Sequence, residues 1–415
     1  MKNYPPMPVL ILLFLLALVY SSCENFTPDP PTPVEELGEI LWTYDDFDVI
    51  PVATETVQIS GVALGDDGTI YVSVTDRVGS NWQLARVHAI NSDSTFKWSS
   101  PDLESAYPSD PVVGPDGTVY VICSTTIYAL NSANGSIMWS YTPPEDNNER
   151  YDIGWLTLGN YGEIFFAHIA SGAYTRKIYA LNSDGGVLWK RDVPSGVNNL
   201  AVGISRTLFA FGQANDYSTT FSAFDPANGS VKWSKTLEYN PRSIAISTDG
   251  NPIVVFYYPK RMAKFNALTG EFIWDIEVAG EGYPTVAPNG SIYLLSSDLY
   301  CFNQDGTLKW ETGSYGGGGS KTVIDSDGSA YGAMTDHGDG NFQVYKVDGT
   351  LRWAIPQAIT TLQCPAIGSN NVVYVTVSAV PKATIYAIRG DKSIASSGWS
   401  RDTGGNKNSR NVNLH

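Results

Sequence analysis

The residues able to do chemistry in this chain are few and scattered. Four histidines, His88, His168, His337 and His415, stand far apart in sequence, whereas metal or acid–base chemistry needs such groups brought together. A lone histidine in an apolar strand is expected to be a structural residue. The stretch DHGDGN at 336–341 has the oxygen-rich look of a calcium loop, but it lacks the glutamate of a helix-loop-helix site, so a solvated hairpin loop is expected. Cys123, Cys301 and Cys364 follow Cys23 at wide spacing, which suits neither a zinc site nor a disulfide framework. They are expected to be buried small hydrophobes. The glycine run at 316–319 lacks the strand–helix context of a phosphate loop, and no G-x-S-x-G elbow is present. Dispersed Asp and Glu could act as acid and base only if the fold paired them. The chain is therefore expected not to be an enzyme.

Charge narrows the partners. With 42 acidic against 26 basic residues the net charge is -16, and such a field repels phosphate backbones and anionic lipid surfaces. Nucleic acid is excluded as an expected partner, and solubility is the plain reading of the acidity. At the N-terminus, Lys2 precedes an apolar run at 9–20 and the small residues Ser21 and Ser22. The run is too short to span a bilayer comfortably and has the length of a signal-peptide core. Residues 1–22 are read as a signal peptide.

Cys23, followed by a polar, Pro-rich stretch, resembles a bacterial lipoprotein processing site, at which the cysteine is lipidated; Tyr20 departs from the leucine usual three places before that cysteine. The segment 23–37 carries Pro28, Pro30, Pro31 and Pro33, which favour an extended tether. The expected location is the bacterial cell envelope, at the outer membrane, with membrane contact through the lipid anchor only.

The elements behind these residues repeat. Segments such as IYALNSANGSIMW (127–139), IYALNSDGGVLW (178–189), FSAFDPANGSVKW (221–233), MAKFNALTGEFIW (262–274) and LYCFNQDGTLKW (299–310) each end in tryptophan. Looser copies end at Trp98 and Trp353. Each reads as strand, tight turn, strand: alternating apolar residues, then Asn or Asp with Gly, then apolar residues again. A second hairpin precedes each one, as in VVGPDGTVYVIC (112–123) and TVAPNGSIYLLS (285–296). Four strands per unit result. From Trp98 to Trp353 the chain advances 255 residues in six intervals, a period of about 42 that suits propeller blades.

Two incomplete ends complete the count. GEILWTY (38–44) is an isolated last strand, with Gly38 four residues before Trp42, while 362–388 supplies three strands and no fourth. Pairing them closes a ring and protects edges that would otherwise template aggregation. The expectation is an all-β, eight-bladed β-propeller of four-stranded antiparallel blades over 38–399, followed by a polar tail at 400–415.

The pattern Y-A-[LI]-N-x-x-x-G-x-[apolar]-x-W resembles the tryptophan-docking motif of quinoprotein-like (PQQ-like) propellers. The resemblance implies that Trp42, Trp98, Trp139, Trp189, Trp233, Trp274, Trp310 and Trp353 are blade anchors packed between neighbouring blades. Dehydrogenases of that family hold a quinone and calcium, and many carry adjacent cysteines or a haem segment. This chain has no Cys-Cys pair and no C-x-x-C-H, so neither PQQ nor calcium is expected. The chain is also similar to the lipoprotein propeller subunit of the outer-membrane β-barrel assembly machinery. That similarity implies a scaffold for protein partners.

Loop lengths indicate where binding belongs. Turns joining first to second and third to fourth strands are short, and length variation falls in the second-to-third loops and the links between blades. These carry Trp82, Tyr107, Tyr174, Tyr217, Tyr239, Tyr283 and Tyr315, large side chains suited to recognition at small entropic cost. They form the candidate binding face, for a protein partner or, because aromatic rings can stack on sugars, a surface glycan. A monomer is expected.

Overall fold

The computed structural model describes residues 36–47, 57–78, 81–103, 108–144, 151–170, 176–193, 197, 199–213, 219–296, 298–313, 321–336, 339–358, 363, 365–378, 382–397, 400–401, 404–405, 407–410 and 413. Cys23 and the rest of residues 1–35 lie outside them. Residues 37–415 form one folded unit. It contains eight antiparallel sheets arranged as the blades of a propeller, and no helix among the described residues.

Seven blades follow one another along the chain, spanning 58–99, 112–141, 151–193, 199–237, 240–277, 284–311 and 323–358. The eighth is built from both ends. Ala366–Ile367, Val372–Val377 and Thr384–Arg389 supply three strands, and Ile40–Tyr44 pairs antiparallel to the last of them, Trp42 facing Ala387 and Tyr44 facing Ile385. The closure expected from the incomplete ends is therefore present. It buries apolar surface as well as pairing backbone, because Trp42 and Tyr44 pack with Tyr374, Ile385 and Ala387 of the last blade and Val62, Ile70 and Val72 of the first.

Period-two alternation sets the packing. In each blade the second strand is buried on both faces, as in Val119–Cys123 and Ile253–Phe256, because neighbouring blades cover it from both sides. Outer strands alternate; in Ile137–Tyr141 only every second residue is shielded. The exposed Ile137, Met138, Leu188, Phe272 and Leu308 belong to these rim strands. Core clusters accordingly straddle blade boundaries rather than fill single blades, as where Tyr71 and Trp98 meet Val113, Val119 and Val121.

The tryptophans lie at these boundaries. Trp98 donates its indole N–H to Ser132 O at 2.8 Å, Trp139 to Ser183 O at 2.8 Å, Trp189 to Pro226 O at 2.8 Å and Trp233 to Ala267 O at 2.9 Å. Trp274, Trp310 and Trp42 do the same to Gln304 O, Val347 O and Ser92 O. Each acceptor lies in the last turn of the following blade. Close approach requires the glycine there: a Cβ on Gly135, at φ +72°, would lie 2.4 Å from Trp98 Cε3. Ser94, which stands where the other copies have glycine, takes φ 71°.

The polar tail packs against the ring. Ser400, Arg401, Lys407, Asn408, Ser409 and Arg410 are all buried. Their carbonyls accept from amides that end innermost strands of four blades: Val113 to Lys407 O, Leu158 to Ser409 O, Val202 to Arg410 O, each at 2.9 Å, and Ile324 to Ser400 O at 2.8 Å. An innermost strand has no neighbour on its axial side, so its outward amides need another acceptor when water is excluded. The tail supplies it. Arg401 donates to Val62 O at 3.0 Å and Asn408 Oδ1 at 2.8 Å, Asn408 donates to Pro111 O at 2.9 Å, and Arg410 donates to Asn199 Oδ1 at 2.8 Å.

Candidate functional site

Propeller connectivity separates two faces. Tight turns such as Gly114–Gly117 and Gly65–Gly68 open on one, where the tail also runs. Second-to-third-strand loops and interblade links open on the other, and the candidate binding residues belong to it. Tyr107, Tyr174, Tyr217 and Tyr315 lie outside the described residues. Trp82 sits in the strand Asn81–Ile90 with its backbone opposite Arg77, and its side chain lies outside the description. Tyr239 and Tyr283 are described, and they fall on successive links, before the fifth and the sixth blade.

The structure gives each of these two tyrosines neighbours that loop length alone did not reveal. The strand Pro252–Tyr258 is buried through Phe256, and its last two residues, Tyr257 and Tyr258, are 55% and 75% exposed although Tyr258 still pairs with Asn240. Tyr239 packs edge-on against Phe256, with ring centroids 5.3 Å apart. Arg242, from the innermost strand of the same blade, places its guanidinium 5.7 Å from the ring centroid of Tyr283 and 6.0 Å from that of Tyr257. Lys321 Nζ stands 5.3 Å over Tyr283, and Arg261 lies 5.5 Å over Tyr239. Arg242 and Lys321 thus meet at Tyr283, with Tyr257 beside Arg242, while Arg261 meets Tyr239. The doublet in FYYPKR, two rings directly before a proline, was the sequence signal for Tyr257 and Tyr258; nothing local marked Arg242 or Lys321.

The cations differ in their compensation. Arg261 donates to Asp275 Oδ1 at 2.7 Å and reaches Glu277 at 3.5 Å, and the hydrogen bond it donates to Asp275 holds its guanidinium more firmly protonated than usual. Arg242 has neither an ion pair nor a hydrogen bond among the described residues, and its Nε is buried without a partner. Its neighbours are ring faces. Cation–π attraction offsets part of the desolvation of a half-buried guanidinium, but a polar group shielded from water with no acceptor is costly.

Other candidate chemistry does not assemble. His88 and His168 are buried on the first and third blades, edge-on to Phe47 and Tyr179 respectively. His337 and His415 lie outside the described residues, as do the glycine run at 316–319 and Cys364. The 336–341 stretch joins two paired strands, with Asp336 opposite Asp339. Cys123 and Cys301 are free and buried, and burial pushes their thiols up to about 12 and about 11.

A quinone–calcium pair needs converging oxygen donors. Among the described residues no group of three or more His, Cys, Asp or Glu could hold a metal, and the charged side chains that the tail brings against the inner strands are the cations Arg401, Lys407 and Arg410.

Comparisons with known proteins agree with this architecture. Residues 162–285 match the family model PQQ_2, described as Outer membrane protein assembly factor BamB. No curated protein matches the chain by sequence. Among solved structures, BamB from Moraxella catarrhalis is 13% identical with a TM-score of 0.54, over 85% of this chain and 98% of that one. Quinohemoprotein alcohol dehydrogenase from Comamonas testosteroni is 13% identical with a TM-score of 0.61, over 87% of this chain and 78% of that one. Saccharomyces cerevisiae Sqt1 gives 13% and 0.61, over 86% and 100%. The chain is a β-propeller similar in fold to BamB, with a PQQ_2 match over residues 162–285; a fold shared by an assembly factor and a dehydrogenase does not choose between their functions.

Proposed function

We propose that this protein is a non-catalytic scaffold of the bacterial cell envelope that recognises protein partners through its loop-and-link face and serves in outer-membrane protein assembly. The observation that carries this reading is the set of tyrosine–cation contacts on that face, Tyr257 and Tyr283 with Arg242, Tyr283 with Lys321 and Tyr239 with Arg261. Tyrosine and arginine are the side chains enriched where protein interfaces concentrate their binding energy. The family-model match supports the envelope setting, and lipid attachment at Cys23 would tether the propeller there.

Pull-down of the full-length protein from solubilised native membranes tests the proposal. Recovery of a β-barrel protein with the wild type, reduced by Tyr257→Ala together with Tyr258→Ala, is the expected result. Saturable retention on a polysaccharide with no protein recovered would replace it with glycan binding, and quinone-dependent dye reduction would replace it with catalysis.

A further inference from the structure

We propose that Arg242 is an anchor for a carboxylate that the partner presents beside an aromatic or apolar side chain; this deepens the protein-binding reading and rests on it. The guanidinium lies 6.0 Å from the ring centroid of Tyr257 and 5.7 Å from that of Tyr283, contacts that leave its N–H groups unused. Every other described cation of the cluster for which an acidic partner is seen has its charge met at home, as Arg261 does by Asp275 and Glu277. Arg242 does not. Glu238 and Glu281 stand in the adjoining links and form no ion pair with it, and its buried Nε has no acceptor.

A planar fork of donors without an acceptor of its own is suited to bidentate contact with a carboxylate, and such charge-assisted bonds are among the stronger ones. Lys321, with Nζ 5.3 Å from the Tyr283 ring centroid, adds a second positive charge. Charge complementarity favours an anion here, because Arg242 and Lys321 bring two positive charges to one ring. Tyr257, 55% exposed and with its ring centroid 6.0 Å from the Arg242 guanidinium, provides the apolar surface beside it. An isolated phosphate would use the charge but not that ring. The geometry therefore selects a carboxylate with an apolar neighbour, the chemistry of an acidic or C-terminal peptide segment.

The test uses the full-length chain with 15N-labelled arginine side chains and N-acetyl-phenylalanine as the probe, the amide of the same molecule serving as the neutral control. The expected result is a saturable shift of the Arg242 Nε resonance with the acid, and binding of the amide weaker by at least about tenfold. Arg242→Met should abolish the effect. Tyr257→Ala, a change at an exposed ring that leaves the core intact, should weaken it while preserving the melting temperature. An unmoved Arg242 resonance, or equal response to acid and amide, overturns the proposal.

Membrane pull-down with Arg242→Met separates this inference from the broader one. A partner recovered equally by wild type and variant leaves protein binding standing and removes the carboxylate anchor. Tighter binding of an oligogalacturonate than of an acidic peptide assigns the anchor to a glycan and overturns it as a peptide site.

Discussion

Gly38 meets the indole of Trp353 across the break between the chain's two ends: at φ +84° its Cα faces the ring, and a Cβ there would stand 3.1 Å from Trp353 Cε3. The contact reproduces that of Gly135 on Trp98, but only in part. Seven anchor tryptophans donate to a carbonyl of the next blade's last turn, whereas Trp353 Nε1 is buried with no partner among the described residues. In the eighth blade that turn is interrupted, since the chain enters at Gly38 instead of continuing from Arg389, and Gly38 N–H bonds to Arg389 O in its stead. Trp353→Phe is expected to cost less than Trp139→Phe by about 1 kcal/mol, the net worth of one indole hydrogen bond. Denaturant midpoints of the two variants measure the difference. Gly38→Ala should destabilise by about 1–2 kcal/mol through its left-handed backbone, and Gly135→Ala, with its Cβ only 2.4 Å from the Trp98 ring, by more.

Removing residues 38–44 should open the ring. The strand Thr384–Arg389 would become an edge, and the packing of Trp42 and Tyr44 on Tyr374 and Ile385 would be lost. Calorimetry of the deletion variant is expected to show a lower, less cooperative transition together with concentration-dependent association. An unchanged single transition would mean that the seam contributes nothing.

Truncation after residue 399 addresses the tail. The amides of Val113, Leu158, Val202 and Ile324 lose their carbonyl acceptors, each shielded donor costing about 1–3 kcal/mol if water does not replace the bond. Faster hydrogen exchange at these four amides, with the rim strands unaffected, is the expected outcome. Arg401→Met should reproduce part of the effect, because Arg401 links Val62 O to Asn408.

Acid should destabilise the propeller through its turn aspartates. Asp93, Asp305 and Asp348 accept from the side chain and backbone of Thr95, Thr307 and Thr350, which lowers their affinity for protons. At Asp67 and Asp249 burial opposes ionisation, but bonds from Lys97 and Lys264 with their neighbours outweigh it, holding Asp67 down to about 2. Groups depressed in the folded state take up protons more readily when unfolded. Their contribution is complete above the ordinary carboxylate value of about 3.9 and is lost as pH falls towards 2. Asp325, raised by burial, acts in the opposite sense as a single group. Melting temperature should therefore fall between about pH 5 and pH 2.5, and Asp67→Asn should flatten that dependence.

Blade architecture was legible in the linear chain because its determinants are local. Asn or Asp, then Gly, then Trp at fixed offsets specify hairpins whose turns and registers involve residues only a few positions apart, and the incomplete ends at Trp42 and Ile388 show how the ring closes. The face that varies could also be read, from loop length.

Sequence could not place Arg242 against Tyr257 and Tyr283, or Arg410 against Asn199, because these contacts join segments whose separation follows no repeat. The polar tail could be read only as polar; its burial depends on amides that the inner strands leave unpaired, and those exist as a set only once the ring has formed. Repetition encodes each blade, whereas what fills the inner rim and what gathers on the binding face are decided by closure, which brings distant residues within bonding distance.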